Sequence, residues 1–289
     1  QPSPFRRLAT ALYVRPRTQL ALLLAAPTGW FALVYLGSLA ILLVAAFWYL
    51  DPTTSAVVRS FTLRNFETLL TQEIYRTIAL RTVGIAAAVT ILDAAIAFPI
   101  AFYMARVAGP RKRSILFMLV LLPLWSSYLV RVYAWRVILS PGGVLDWAAS
   151  AVGLPGLSPG FTETSMVLVF AYLWLPYMIL PIYAGLERIP DSLISASEDL
   201  GAAPFTTFRR VILPLAFPAV VAGSIFTFSL SLGDFITPKL VSNSQLIGNT
   251  IFSEITVDQP FAATLALVPI VVMVAYLAVA RKLGAFEHV

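Results

Sequence analysis

The amino-acid sequence predicts an all-α, polytopic membrane protein with six transmembrane helices. Three observations carry that reading. Of 289 residues, 59% are hydrophobic and 12% charged, whereas a soluble domain carries about 25% charged residues. The charges are spaced so that six apolar runs reach the ~20 residues a helix needs to cross a bilayer. Lysine and arginine are also divided unequally between alternate connections, the mark of a fixed orientation in a membrane.

The spans follow in order. No residue from Thr18 to Leu50 is charged, but Pro27-Thr28-Gly29 interrupts that run, so the first span is placed at Gly29 to Tyr49. Residues 1–28 then form a cytoplasmic N-terminal segment with an amphipathic or re-entrant stretch, and residues 29–289 form the six-helix domain. The apolar run after Arg6, Arg7, Arg15 and Arg17 exceeds the about 7–15 residues of a signal-peptide core, so no cleavable leader is expected. The second span is Thr77 to Ala105, uncharged except for Arg81 and Asp93. The third starts after Arg113, continues past Trp125 and ends near Arg136. The fourth, fifth and sixth lie between Glu163 and Glu187, Arg210 and Asp234, and Asp258 and Arg281. Pro99, Pro123, Pro176, Pro181, Pro218 and Pro269 fall within spans, where each removes a helix hydrogen bond and tends to kink the helix.

The loops set the orientation. Thirteen of the 20 lysines and arginines lie before the first span, in the 2–3 and 4–5 connections, or at the C-terminus. The other three connections hold four: Arg59, Arg64, Arg76 and Lys239. Both termini and the loop 187–214 are therefore expected in the cytoplasm. The net charge of +6 reflects this topology and does not call for nucleic acid.

Several chemistries are excluded by residue type. Without cysteine there is no disulfide, thiolate metal site or cysteine nucleophile. The one histidine is the penultimate His288, a solvated tail position. A nucleotide-hydrolysing chain needs a glycine-rich cradle ending in Gly-Lys-Ser/Thr, but Lys112, Lys239 and Lys282 are followed by Arg, Leu and Leu. Neither a GxSxG elbow nor an HExxH helix is present. Paired intramembrane aspartates, Asp93 and Asp234, could activate water as in an intramembrane aspartyl protease, but their flanking residues match that family's motifs poorly. A secondary transporter or channel is another alternative, since six spans with intramembrane charges would serve either.

Charge within hydrocarbon costs roughly 2.5–3.5 kcal/mol on insertion scales, so Arg81, Asp93, Arg131 and Asp234 need partners, water or solute. Arg81 and Arg136 can instead snorkel to an interface. Asp93 is mid-span and either pairs with another helix or lines a cavity. Asp234, with Phe235 beside it, marks either the external mouth of a path or a solvated helix end. Trp125, Tyr128, Tyr133, Trp174 and Tyr177 offer cation–π faces of about 0.5–2 kcal/mol each, or they belong to interfacial aromatic belts. Carboxylates and aromatic faces suit a cationic solute; Lys239 near Asp234 suits an amino-acid-like or opine-type zwitterion better. Both solute classes stay open.

The loop between spans four and five reads as a helix, a glycine break and a second short helix. Asp191 and Ser192 can cap the first helix, whose apolar face is Leu193, Ala196 and Leu200, and Gly201 can end it. Pro204 suits the first turn of the second, with Phe205, Phe208 and Ile212 on one face. Glu198, Asp199, Arg209 and Arg210 occupy the polar faces. From spacing alone the pair is either a knob presented to a partner or an amphipathic loop lying on headgroups.

The pattern Ser195-Ala196-Ser197, three residues, Gly201, nine residues, Val211-Ile212-Leu213-Pro214 resembles the EAA loop of ABC importer permeases. It departs at Ser195, where that family usually has Glu. The similarity covers most of the chain. Phe61-Thr62-Leu63-Arg64-Asn65-Phe66, Leu122-Pro123-Leu124-Trp125-Ser126-Ser127-Tyr128-Leu129-Val130-Arg131, Gly233-Asp234-Phe235, Leu246-Ile247-Gly248-Asn249 and Pro260-Phe261-Ala262-Ala263 resemble signatures of the spermidine/putrescine group. The resemblance implies a type I (MetI-like) importer-permease fold in a bacterial inner membrane, and a coupling helix of Ser195, Ala196, Ser197, Glu198, Asp199, Leu200 and Gly201. Leu193, Leu200, Phe205 and Phe208 are expected to transmit force by packing. Also implied are a second homologous permease, two ATPase subunits that bind ATP and Mg²⁺, and an external solute-binding protein. The chain itself would bind no cofactor and catalyse no reaction.

Overall fold

The computed structural model describes residues 16–155 and 158–282. The expected segment up to residue 15 and His288 lie outside the described residues. Helix Pro16–Trp30, a π-helical turn Phe31–Leu36 and helix Gly37–Ala45 follow without interruption and together form α1. The break expected at Pro27-Thr28-Gly29 is therefore not made. Proline is tolerated inside membrane helices because local adjustments re-satisfy the backbone, and a π turn follows four residues on, at Phe31–Leu36. The membrane-length stretch begins at Leu20 rather than Gly29.

A two-stranded antiparallel hairpin, β1 (Tyr49–Leu50) and β2 (Val57–Val58), follows, an addition to the all-α expectation. It leads into α2 (Arg64–Thr71) and then α3 (Glu73–Phe102), which ends in the π turn Tyr103–Val107. Next come α4 (Pro110–Leu121) with the 3₁₀ turn Leu122–Trp125, α5 (Tyr128–Leu139), α6 (Val144–Ala151) and α7 (Glu163–Glu187). The remaining helices are α8 (Asp191–Asp199), α9 (Pro204–Thr207), α10 (Leu213–Gly233), α11 (Ile236–Val241), α12 (Ile247–Glu254) and α13 (Gln259–Lys282).

Among the described residues, five stretches are long and apolar enough to cross a membrane: Leu20–Ala45, Glu73–Val107, Glu163–Glu187, Pro204–Gly233 and Gln259–Lys282. The third expected span is not one straight helix. Pro110–Trp125 and Tyr128–Leu139 meet at 94°, and this bent pair makes the sixth crossing if it is one broken span. The cause is local. Pro123 lacks an N–H, and both the backbone N–H and the hydroxyl of Ser126 turn back to the Pro123 carbonyl, at 3.3 and 2.8 Å. Those bonds replace the helical ladder, and Ser126 and Ser127 are left extended.

The core lies where α3, α7 and α10 pack together. Toward the end bearing α11 and α12, Ile85 and Val89 of α3 meet Met166, Phe170 and Leu173 of α7, with Val132 of α5 and Val241 and Leu246 beyond. Toward the end bearing α8, Ala97, Ala101 and Met104 meet Met178, Ile182 and Leu186, joined by Ile212 and Ala216. Small residues on α3 let the helices approach closely, as dispersion contacts between membrane helices require. α13 packs on α10 through the stacked pair Phe228 and Tyr276, 4.6 Å apart, and the 2.6 Å Ser224–Tyr276 hydroxyl contact. α1 meets the bundle at α13, where the Thr264 hydroxyl donates to the Ala46 carbonyl at 3.0 Å. From Leu20 to Ala45 none of its residues is buried.

Candidate coupling loop and buried polar path

α8 starts after Pro190, which occupies the capping position. Asp191 therefore does not cap it as expected. Its carboxylate instead accepts a 2.6 Å charge-assisted bond from Arg106 at the end of α3. The helix ends as a Schellman turn. The N–H of Gly201 donates to the Glu198 carbonyl at 2.8 Å and that of Ala202 to the Ser197 carbonyl at 3.1 Å. Gly201 takes φ +77°, a conformation that costs any residue with a Cβ. Pro204 opens α9 at its first position, as expected. α9 then runs through the π turn Phe208–Ile212 into α10, so the second loop helix is the rigid extension of the fifth span.

The inward face differs from the expected one. Ile194 packs on the core and the Ser197 hydroxyl lies 3.0 Å from that of the buried Thr207, while Leu193, Ala196 and Leu200 point outward. Leu200 is 89% exposed and Phe205 72%. Ser195, Glu198 and Asp199 are exposed with them. Of the four residues expected to transmit force by packing, Phe208 is the one seated in the bundle. It makes edge-to-face contacts with Phe98 and Phe102 at 5.7 and 5.9 Å. The loop thus offers three exposed apolar side chains, Leu193, Leu200 and Phe205, on a base anchored by Ile194 and Phe208.

The expected path residues separate into groups. Tyr128 stacks on Trp174 at 5.9 Å, and Trp174 meets Tyr177 at 6.0 Å. The Tyr128 hydroxyl donates to the Asp234 carboxylate, which also accepts from the Ile236 and Thr237 N–H groups at 2.8 and 3.1 Å and from the Thr237 hydroxyl at 3.0 Å. Asp234 is buried and ties the start of α11 to the start of α5. It is not a solvated helix end. Gly248 allows this arrangement: a Cβ there would lie 2.9 Å from the Asp234 carbonyl carbon.

Phe235 stands apart, stacked on Phe252 at 4.8 Å, and Lys239 reaches the same ring at 5.2 Å rather than the Asp234 carboxylate. Trp125 is 85% exposed, and Tyr133 is exposed too. Arg81 and Arg136 are both engaged. Arg81 pairs with Glu163 at 3.2 Å; Arg136 donates to the Leu240 carbonyl at 2.7 Å and lies over Phe161. Asp93 is fully buried in α3, and neither of its oxygens has a hydrogen-bond partner among the described residues, so the first of its two expected roles, a pair with another helix, is not seen. Arg106 Nε, Arg131 Nε and Nη1, Trp174 Nε1, Thr227 Oγ1 and Ser231 Oγ are likewise buried without partners there. Unpaired buried polar groups are costly and rare in a finished core. Apart from Arg106, these side chains lie within α3, α5, α7 and α10.

Sequence reasoning missed Thr237, Thr207 and two arginines, Arg106 and Arg113. The arginines registered as positive charge alone, although Arg106 at the end of the second span and Arg113 just before the third both lie close enough to reach carbonyls at helix ends.

The sequence profile of the family described as "Binding-protein-dependent transport system inner membrane component" matches residues 97–284. The chain belongs to that family. The match includes the whole 187–214 loop and every path residue except Asp93. This permease is 45% identical over 288 residues to the inner membrane ABC transporter permease protein YdcU of Escherichia coli K12, covering 94% of this chain and 92% of that one. It is 32% identical over 212 residues to the spermidine/putrescine transport system permease protein PotB of Haemophilus influenzae, covering 71% and 73%. In fold it matches a chain of a bacterial alginate ABC transporter, solved in complex with an alginate pentasaccharide-bound periplasmic protein. The TM-score is 0.74 at 16% identity, over 95% of this chain and 96% of that one. The protein is thus a multi-pass inner-membrane permease of the ABC importer class, with the importer-permease fold the sequence implied.

Proposed function

We propose that this permease forms half of the translocation pathway of an ATP-driven importer for a small organic cation of the polyamine class. The observation that carries the mechanism is the α8–α9 loop: a capped helix with Leu200 and Phe205 held out from the chain, joined without a break to the fifth span. In this reading the loop and both termini face the cytoplasm, supported by the uneven division of lysine and arginine. The coupling helix Ser195–Gly201 docks through Leu200 and Phe205 into an ATPase subunit, one of two. A second homologous permease completes the pore, and an extracytoplasmic binding protein delivers the solute. ATP and Mg²⁺ sit in the ATPase pair, whose closure pulls α8 and tilts α10. The seam of Asp93, Arg131, Trp174, Thr227 and Ser231 then opens to polar contents. The solute class is supported by the names of the polyamine permeases this chain resembles.

The test is uptake of labelled putrescine and spermidine by proteoliposomes holding both permeases, the ATPase and the binding protein. ATP-dependent uptake is expected, and Leu200→Asp with Phe205→Asp should release the ATPase during purification. Uptake by this chain alone without nucleotide would overturn the importer reading. Transport of amino-acid-like zwitterions to the exclusion of polyamines would overturn the solute class.

A further inference from the structure

Three helix ends and the coupling helix meet at two arginines. Arg106 lies in the π turn that closes α3. Its Nη2 donates to the carbonyls of Leu186 and Ile189 at 2.5 and 2.6 Å, and its Nη1 to the Asp191 carboxylate at 2.6 Å. The two carbonyls belong to the last residues of α7 and the turn beyond it, where helix geometry leaves acceptors without intrahelical donors and the macrodipole favours a cation. Asp191 is in the first turn of α8, where a carboxylate is favoured for the opposite reason. One side chain, 13% exposed, therefore satisfies the end of the fourth span and pairs with the Asp191 carboxylate, 90% exposed, at the start of the coupling helix.

Arg113, in the first turn of α4, repeats the device one step on. Its Nε and Nη2 donate to the Met104 and Ala105 carbonyls at the end of α3, at 3.1 and 3.0 Å, and its Nη1 pairs with Glu187 of α7 at 3.2 Å. The order of attachment is α8 to Arg106 on α3, then α3 to Arg113 on α4, with α7 gripped by both. Phe208 anchors the other side of the loop on α3. The contact between α8 and the ends of the second and fourth spans is thus a planar, three-acceptor one, which a lone ammonium could not reproduce.

We propose that Arg106 is a positioning residue of transport: it fastens the coupling helix to the ends of the second and fourth spans, so that movement imposed on α8 is delivered to them rather than lost in the loop. This rests on the reading of α8 as the site that meets the ATPase, and its test separates the two.

The chain has no cysteine, so Leu200→Cys gives a unique cross-linking position in this subunit. In the reconstituted importer, cross-linking to the ATPase, ATP hydrolysed per solute imported, and uptake are measured for the parent, Arg106→Gln, Arg106→Lys and Asp191→Asn. In Arg106→Gln the cross-link is expected to persist while uptake falls about tenfold and the ATP cost per solute rises, a coupling loss of the size such networks show. Arg106→Lys should fall between it and the parent. Asp191→Asn, which keeps both carbonyl bonds, should lose a few-fold. Parent-like uptake and ATP cost in Arg106→Gln, with the cross-link present, would overturn the proposal alone. Loss of the cross-link together with equal losses of hydrolysis and uptake would reduce Arg106 to a folding role and also overturn it. Absence of the cross-link in the parent would remove the docking reading on which it rests. If Arg106→Gln does not accumulate, Arg106→Lys and Asp191→Asn carry the same comparison.

Discussion

Tyr128 donates its phenolic proton to Asp234 across 106 residues of sequence, joining the first turn past the break in the third span to the exit of the fifth. Because Asp234 already accepts from two backbone N–H groups and the Thr237 hydroxyl, its carboxylate is consumed by structure. Tyr128→Phe is expected to cost about 1–3 kcal/mol, the range for removing one partner of a buried acceptor. Asp234→Asn should also be destabilising, since its amide presents donors to donors. Thermal unfolding of the detergent-purified permease checks both. A double-mutant cycle should give a coupling of about 0.5–3 kcal/mol; additive losses would mean the two side chains act separately.

Five of the six expected spans were legible because a charge-free run is a property of the chain alone, and tertiary packing does not alter it. The break at Ser126-Ser127 was not. Pro99, Pro176, Pro181, Pro218 and Pro269 all remain inside continuous helices, so proline by itself does not predict a break. What distinguishes Pro123 is a serine three residues on that takes its carbonyl. The turn at Gly201 was legible for the opposite reason: a Schellman ending needs a residue free to adopt positive φ at one position, and glycine stood there. Which face of α8 packs was not legible. Leu193, Ala196 and Leu200 make an apolar stripe as good as that of Ile194, and a surface kept for a partner looks in sequence like a surface kept for the core.

Gly201→Pro tests whether that turn matters to transport. Proline fixes φ near −65° and lacks the N–H that bonds the Glu198 carbonyl, so the end of α8 must unwind. Uptake is expected to be abolished, with the ATPase uncoupled from solute and the subunit still inserted. Gly201→Asn, which tolerates the left-handed conformation, should retain most activity. Normal uptake by the proline variant would refute the lever assignment.

A pH effect is expected at the opposite end. Tyr49, Tyr75, Glu254 and Asp258 line a cavity of about 420 Å³ between the hairpin and α12. Burial, and then the neighbouring Asp258 charge, raise the pKa of Glu254 above its ordinary value. A raised carboxyl pKa means the folded state holds the proton more tightly than the unfolded one. Its stabilising contribution is therefore present at low pH and fades as pH rises through the folded value. Glu254→Gln should match the parent in thermal stability in acid and exceed it at neutral and alkaline pH. Equal unfolding temperatures across that range would show the site to be fully solvated.

Asp93 gives the sharpest division between structure and transport. A buried carboxylate with no partner among the described residues contributes nothing to packing that an apolar side chain of similar size would not, and replacing such groups is often neutral or stabilising. Asp93→Leu should therefore leave the yield and unfolding temperature of the permease unchanged or raised, in contrast to Tyr128→Phe. If the seam carries polar contents when the helices part, the same variant should lose uptake by about tenfold, the order expected when a polar contact is removed from a buried site. Asp93→Asn, which keeps shape and hydrogen-bonding capacity but not charge, tells which of the two the contents require. Full uptake in Asp93→Leu would place the path elsewhere in the bundle, and a stability loss without an uptake loss would mean that the residue pairs in a conformation other than this one.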